Sequence, residues 1–149
     1  MDWPFQNDDE VARVRRSAPC VGRVLIVDDD EPVRQILRRH LESAGFDVLT
    51  ASSGGDGLGL LRADWTIRLV LLDLNMAGTN GWGFRRAQAG DERLTDIPTV
   101  ILTGAPLPEI SHAELGAADY LLKPVGRDHL LSVVEKYCAP KYATIPLRL

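Results

Sequence analysis

Cysteine is almost missing from this chain of 149 residues: Cys20 and Cys138 are the only two, near opposite ends and in no metal-ligand spacing. That excludes a cysteine-bound zinc site and offers no disulfide framework. Long apolar runs are missing too. None exceeds four residues, as in Leu69-Val70-Leu71-Leu72, so no segment is expected to cross a bilayer. Residues 1–22 carry Asp2, Asp8, Asp9 and Glu10 and lack an apolar core, which argues against a secretory signal. Positive charge is not in excess. Seventeen basic residues, 14 of them Arg and scattered, face 21 acidic ones for a net charge of −4, so no global field recruits nucleic acid or an anionic membrane. An internal repeat is absent as well. What is present is ordinary globular composition, 45% hydrophobic and 26% charged. The length suits one domain, and a chain of that size buries about two-thirds of its unfolded surface. The expectation is a reduced, cytoplasmic, single-domain protein.

Residues 1–22 show no sustained period and read as a flexible arm, with a helical turn expected at 9–16. Arg23-Val24-Leu25-Ile26-Val27 then forms a β-branched run that ends abruptly in Asp28-Asp29-Asp30-Glu31. A buried parallel strand looks like this where its carboxyl end opens into a loop. Pro32 suits a first helical turn, Val33, Ile36, Leu37, Leu41 and Ala44 recur at helical spacing, and Gly45 stops the run. Further strands are expected at 46–51, 69–72, 99–102 and 120–122, and helices at 54–63, through Trp82, Phe84 and Ala87, and through Leu130, Val133, Val134 and Tyr137 with Asp128 as N-cap. Four glycines (Gly54, Gly55, Gly57, Gly59) weaken the second helix, each costing about 1 kcal/mol against Ala. Regular alternation of strand and helix with apolar strands predicts an α/β fold: a parallel sheet covered on both faces, with ligands beyond the carboxyl ends of the strands.

The residues at those ends are Asp28 and Asp29, Asp73, Thr103 and Lys123. Taken singly, each has an ordinary explanation. Asp28–Glu31 could simply favour a helix N-terminus, Asp73 could be a turn residue, Thr103 a strand-end hydroxyl and Lys123 a solvated charge. Together they crowd carboxylates, which is unfavourable without a cation. Oxygen ligands point to Mg²⁺ rather than zinc or copper. One carboxylate could then act as nucleophile toward phosphorus, with Lys123 and Thr103 holding the phosphoryl oxygens.

Four stretches in order, at 24–32, 69–78, 101–104 and 116–124, make the chain resemble the receiver domain of two-component response regulators. The resemblance implies a doubly wound, five-stranded (βα)5 sheet of flavodoxin or CheY-like type, strand order 2-1-3-4-5. It implies a receiver over 23–138, an arm at 1–22, a tail at 139–149 and no output domain. It makes Asp73 the phosphoacceptor, Asp29 a direct Mg²⁺ ligand, Asp28 an assisting one and Asn75 a backbone-carbonyl ligand. It assigns Lys123 to pairing with Asp73 and the phosphate, Thr103 and Tyr120 to switching, and Gly104 to keeping the phosphate accessible. The implied partners are a sensor histidine kinase or histidine phosphotransfer protein and a downstream protein target, with no direct nucleic-acid contact and no membrane insertion; a homodimer is compatible with it.

Three features depart from the family pattern. Ala77 stands where proline is usual, the second helix is glycine-rich without forming a nucleotide-binding loop, and the stretch from Thr103 to Tyr120 is about two residues short. Pro106 and Pro108 block an early helix start there, so the fourth helix is expected to be stunted, at 109–115. The expectation is a stand-alone response regulator that takes a phosphoryl group on Asp73 and signals by protein contact or phosphorelay. A receiver-like adaptor working without phosphorylation is the alternative. A haloacid-dehalogenase-like phosphatase fits poorly, because Asn75 cannot serve as the second acid of its D-x-D pair.

Overall fold

The computed structural model describes residues 20–76, 78 and 80–140. Five parallel strands form the main sheet: β1 (Arg23–Val27), β2 (Asp47–Ala51), β3 (Ile67–Asp73), β4 (Thr99–Thr103) and β5 (Asp119–Leu122). Their order is β2-β1-β3-β4-β5, which is the expected 2-1-3-4-5 arrangement. Five helices alternate with them: α1 (Glu31–Ser43), α2 (Gly54–Ala63), α3 (Gly81–Ala89), α4 (Glu109–Leu115) and α5 (Arg127–Val134).

Strand side chains alternate between faces, so each strand feeds two cores. Val24, Ile26, Leu69, Leu71, Val100 and Leu102 pack with Leu37 and Leu41 of α1 and Leu130, Val133 and Val134 of α5. Leu25, Val27, Val70, Leu72 and Ile101 pack on the opposite face with Leu58 and Leu61 of α2, Phe84 of α3 and Leu115 of α4. Val24 to Val27 are fully buried, and each such side chain contributes about 1.5–3 kcal/mol on leaving water.

Local chemistry sets most helix ends. Asp30 accepts a hydrogen bond from the Val33 N–H, Pro32 sits in the first turn, and Gly45 takes a φ of 92° just beyond α1. The glycines of α2 are not all idle: a Cβ on Gly57 would lie 2.8 Å from a methyl of Val27, so glycine lets that helix settle onto β1. The fourth helix is short, seven residues from Glu109, as the two prolines require.

Three details differ from expectation. Asp128 does not cap α5: Gly126 occupies the N-cap position with no side-chain bond, and Asp128 sits inside the first turn as an exposed acid. β3 begins two residues early, at Ile67, because the exposed Arg68 lays its stem over Gly22 instead of ending the strand. A two-residue parallel ladder was also not foreseen. It pairs Cys20 with Cys138 and Val21 with Ala139, so the folded unit starts before Arg23 and the cysteines, remote in sequence, come into register. The helical turn expected at 9–16, the tail beyond residue 140 and Ala77 lie outside the described residues.

Candidate functional site

Four of the five main-sheet strands bring polar residues to one rim, at or just beyond their carboxyl ends. β1 runs into Asp28 and Asp29, β3 ends in Asp73, β4 ends in Thr103, and β5 leads into Lys123, whose peptide bond to Pro124 is cis. Carboxylate oxygens of Asp28, Asp29 and Asp73 lie within 4.8 Å of one another. Asp28 is fully buried and Asp73 nearly so, whereas Asp29 is exposed. Lys123 Nζ donates to Asp28 at 2.8 Å and lies 3.4 Å from Asp73. The ammonium therefore lies nearer Asp28 while it also pairs with Asp73, the partner that the family resemblance implies.

The site is charge-frustrated. Burial, and then the neighbouring Asp28 charge, push the Asp73 carboxyl up to about 6 despite Lys123 and the Asn75 N–H, which donates to it at 3.2 Å. Burial pulls on the Lys123 ammonium in the opposite sense, but its bond to Asp28 and the fields of both acids hold it above its ordinary value. Asp28 and Asp73 share one ammonium, which leaves room for a further positive charge, and the three clustered carboxylates are an all-oxygen donor set that suits a hard divalent cation. The residues present therefore fit Mg²⁺.

The remaining candidates surround this cluster. Thr103 donates its hydroxyl to the Ala105 carbonyl at 2.8 Å and accepts from the Ala105 N–H at 3.3 Å, so it is turned into its own loop. Gly104 is exposed, and a methyl there would meet nothing; open space, not packing, surrounds it. Asn75 is exposed two residues beyond Asp73. Tyr120 is half-buried and shares a surface cavity of about 250 Å³ with Thr103, Pro106, Leu107 and His129. Burial raises its phenol, opposed by a backbone hydrogen bond from Ala117 and the nearby Arg85. Gly81 opens α3 hard against the strand end, where a Cβ would fall 2.8 Å from Leu74 Cα.

A model of the response regulator receiver domain matches residues 24–135. The chain belongs to the response regulator receiver family. It is 36% identical over 121 residues to the protein PilH of Pseudomonas aeruginosa, covering 80% of this chain and 99% of that protein. It is 36% identical over 115 residues to the phosphate regulon regulator PhoB of the same organism, covering 75% of this chain but 50% of PhoB. Among solved structures, the chemotaxis protein CheY4 of Vibrio cholerae superposes with a TM-score of 0.73 at 28% identity, over 78% of this chain and 98% of that one. Receivers of this type are phospho-accepting signalling modules of two-component systems, not conventional enzymes.

Sequence reasoning missed a second polar cluster in this receiver. Arg85 of α3 donates from Nε to the Leu115 carbonyl and from Nη2 to the Gly116 carbonyl, both at 2.9 Å, which closes the C-terminus of α4. Its Nη1 reaches Gln88 Oε1 and, at 3.3 Å, Thr99 Oγ1. Gln88 is fully buried and donates in turn to the Leu94 and Ile97 carbonyls at 3.1 and 2.9 Å. The available signal was a glutamine four residues after the buried Phe84, on the face of α3 that should be apolar.

Proposed function

We propose that this receiver accepts a phosphoryl group on Asp73 from a phosphohistidine of a sensor histidine kinase or histidine phosphotransfer protein. The observation that carries the reading is the convergence of Asp28, Asp29 and Asp73 with Lys123 on one rim of a receiver fold. An Asp73 carboxylate oxygen attacks phosphorus, the phosphorus–nitrogen bond breaks, and the imidazole leaves with the electron pair, giving an acyl phosphate. Lys123 supplies a fixed positive charge to the phosphoryl oxygens, and Thr103 supplies a hydroxyl once it releases Ala105. Asp28, Asp29, Asp73 and the Asn75 carbonyl would hold Mg²⁺, which when bound neutralises the crowded acids and the incoming phosphoryl charge. Gly104 leaves the approach to Asp73 open.

A partner surface lies next to the site. Val33, Ile36, Leu37, Pro124 and Val125 line a cavity of about 340 Å³ beside Lys123, and Ile36 is half exposed; an apolar face of a donor protein fits there. The acyl phosphate then biases the Thr103–Tyr120 region and α4, and the signal passes on by protein contact or onward phosphotransfer to a downstream protein. The cytoplasm is the compartment consistent with this reading; among the described residues no helix is long and apolar enough to cross a membrane.

Incubation with acetyl phosphate and Mg²⁺ tests the chemistry. A mass gain of one phosphoryl group, lost in Asp73→Asn and on chelation, is the expected result. No gain, or a gain that survives Asp73→Asn, defeats it. The seven-residue α4, pinned at its end by Arg85, favours one second reading, an adaptor that works without phosphorylation. Partner affinity indifferent to phosphorylation would establish that instead.

A further inference from the structure

We propose that Arg85 is a positioning residue for the Thr103–Tyr120 switch: a clasp on α3 that holds the C-terminal end of α4, and with it the Tyr120 ring, in the resting arrangement. The proposal rests on Asp73 as phosphoacceptor and adds a route by which α4 answers to it.

Arg85 is half-buried, and among the described residues no carboxylate forms an ion pair with it. A charge drawn out of water without a counter-ion needs other compensation. Arg85 takes it from the unpaired carbonyls at a helix end: Nε donates to the Leu115 carbonyl and Nη2 to the Gly116 carbonyl, both at 2.9 Å. Nη1 turns back to Gln88 Oε1 and to Thr99 Oγ1 at 3.3 Å. One planar fork thus joins α3, β4 and the turn after α4, a geometry that the ammonium of lysine does not copy.

The position of α4 depends on such contacts. Seven residues make less than two turns, too few to hold a helix by propensity alone. Leu115 is buried in the core, and Gly116 follows in the left-handed region at a φ of 57°, so α4 ends where Arg85 grips it. The same turn carries Ala117, from which a backbone hydrogen bond reaches the Tyr120 phenol, and the Arg85 charge acts on that phenol as well. Clasp, turn and ring are coupled.

The other end of α3 rests on the phosphoacceptor strand. Gly81 donates its N–H to the Leu74 carbonyl at 3.1 Å, and a Cβ on it would fall 3.0 Å from the Asp73 carbonyl oxygen. Arg85 stands one turn further on, about 6 Å along the axis. A shift of the Asp73–Leu74 backbone therefore reaches the clasp through a single turn of helix. Thr103, bonded to the Ala105 carbonyl, restrains the loop that precedes α4, so both ends of α4 answer to the rim.

The test uses the full chain with Arg85→Met, which keeps a long stem without donors, and Arg85→Lys, which keeps the charge without the fork. Before any phosphodonor is added, and at times short enough that 23–27 stays protected, hydrogen exchange at 109–118 should be at least about tenfold faster in Arg85→Met than in the parent. Arg85→Lys should fall between. Fluorotyrosine NMR, with the Tyr120 signal identified by its loss in Tyr120→Phe, should show that signal displaced in Arg85→Met toward the position acetyl phosphate and Mg²⁺ produce in the parent. Labelling of Asp73 by acetyl phosphate should be about two- to fivefold faster in Arg85→Met, since the resting arrangement has lost its clasp. If Arg85→Met loses the native circular dichroism spectrum, Arg85→Lys decides on the same readouts. Unchanged exchange at 109–118, a Tyr120 signal that does not move, or slower labelling overturns the clasp while the phosphoacceptor reading stands. A parent that takes no label overturns both.

Discussion

Two buried polar clusters, on adjacent parts of one sheet, obey opposite rules. Around Gln88, donors and acceptors answer one another: Arg85 closes the end of α4, Thr99 donates to Gln88 Oε1 at 2.9 Å, and the glutamine amide holds two loop carbonyls. Among the described residues no buried side-chain nitrogen or oxygen lacks a partner. At the rim, hydrogen bonding is likewise satisfied, but charge is not. Asp28 and Asp73 share one ammonium while Asp29 stands beside them. Satisfied buried polarity stabilises a particular arrangement; surplus buried charge of one sign costs stability and binds what neutralises it. The first cluster organises the fold, and the second is built for chemistry.

The sharpest separation of the two is by chemistry. Asp73→Asn should reduce acetyl phosphate-driven labelling by at least about 100-fold while the chain remains folded, read by intact mass and circular dichroism. Gln88→Leu should do the reverse. It strands the Leu94 and Ile97 carbonyls and removes the Gln88 partner of Arg85 and Thr99, so urea denaturation should show a loss of about 2–4 kcal/mol, with labelling of Asp73 retained in the folded fraction. Labelling lost along with stability would mean that the clusters are one unit.

The pH response should differ as well. With its folded value raised from 3.8 to about 6, Asp73 binds more protons folded than unfolded between those values. Metal-free protein is therefore stabilised by this group at low pH and loses that contribution as pH rises through about 6. Asp73→Asn should gain stability over the parent at pH 8, by about 1–2 kcal/mol after allowance for solvent screening, and show little difference at pH 4. Saturating Mg²⁺ should shrink the gain at pH 8, since the carboxylate is then the favoured form. Urea titrations with and without chelator measure both. The smallest effect is expected of Thr99→Val. It leaves Gln88 Oε1 bonded to Arg85 and so should cost about 1 kcal/mol.

Much of this receiver could be read from its residues. The run at 23–27 ending in acids, the helical spacing of Val33, Leu37 and Leu41, and the two prolines before α4 each act within a few residues, and local sterics and hydrophobic period decided those elements. The Asp128 cap failed for a local reason too: an acid near a helix start can serve inside the first turn as well as at the cap, and Gly126 began the helix earlier. The rim was legible as a set of strand ends, because a parallel doubly wound sheet brings all carboxyl ends to one side.

What chain order alone established, then, is the alternation of elements, the shortness of α4 and the residue types arriving at the rim, since those follow from propensity, periodicity and strand direction. Distance had to come from packing. That Lys123 reaches both Asp28 and Asp73, that Arg85 reaches across to close α4, and that the backbone at Cys20 comes alongside Cys138 depend on residues up to 95, 30 and 118 positions apart. No local rule couples such positions; only the assembled sheet, with its fixed register and two filled cores, does.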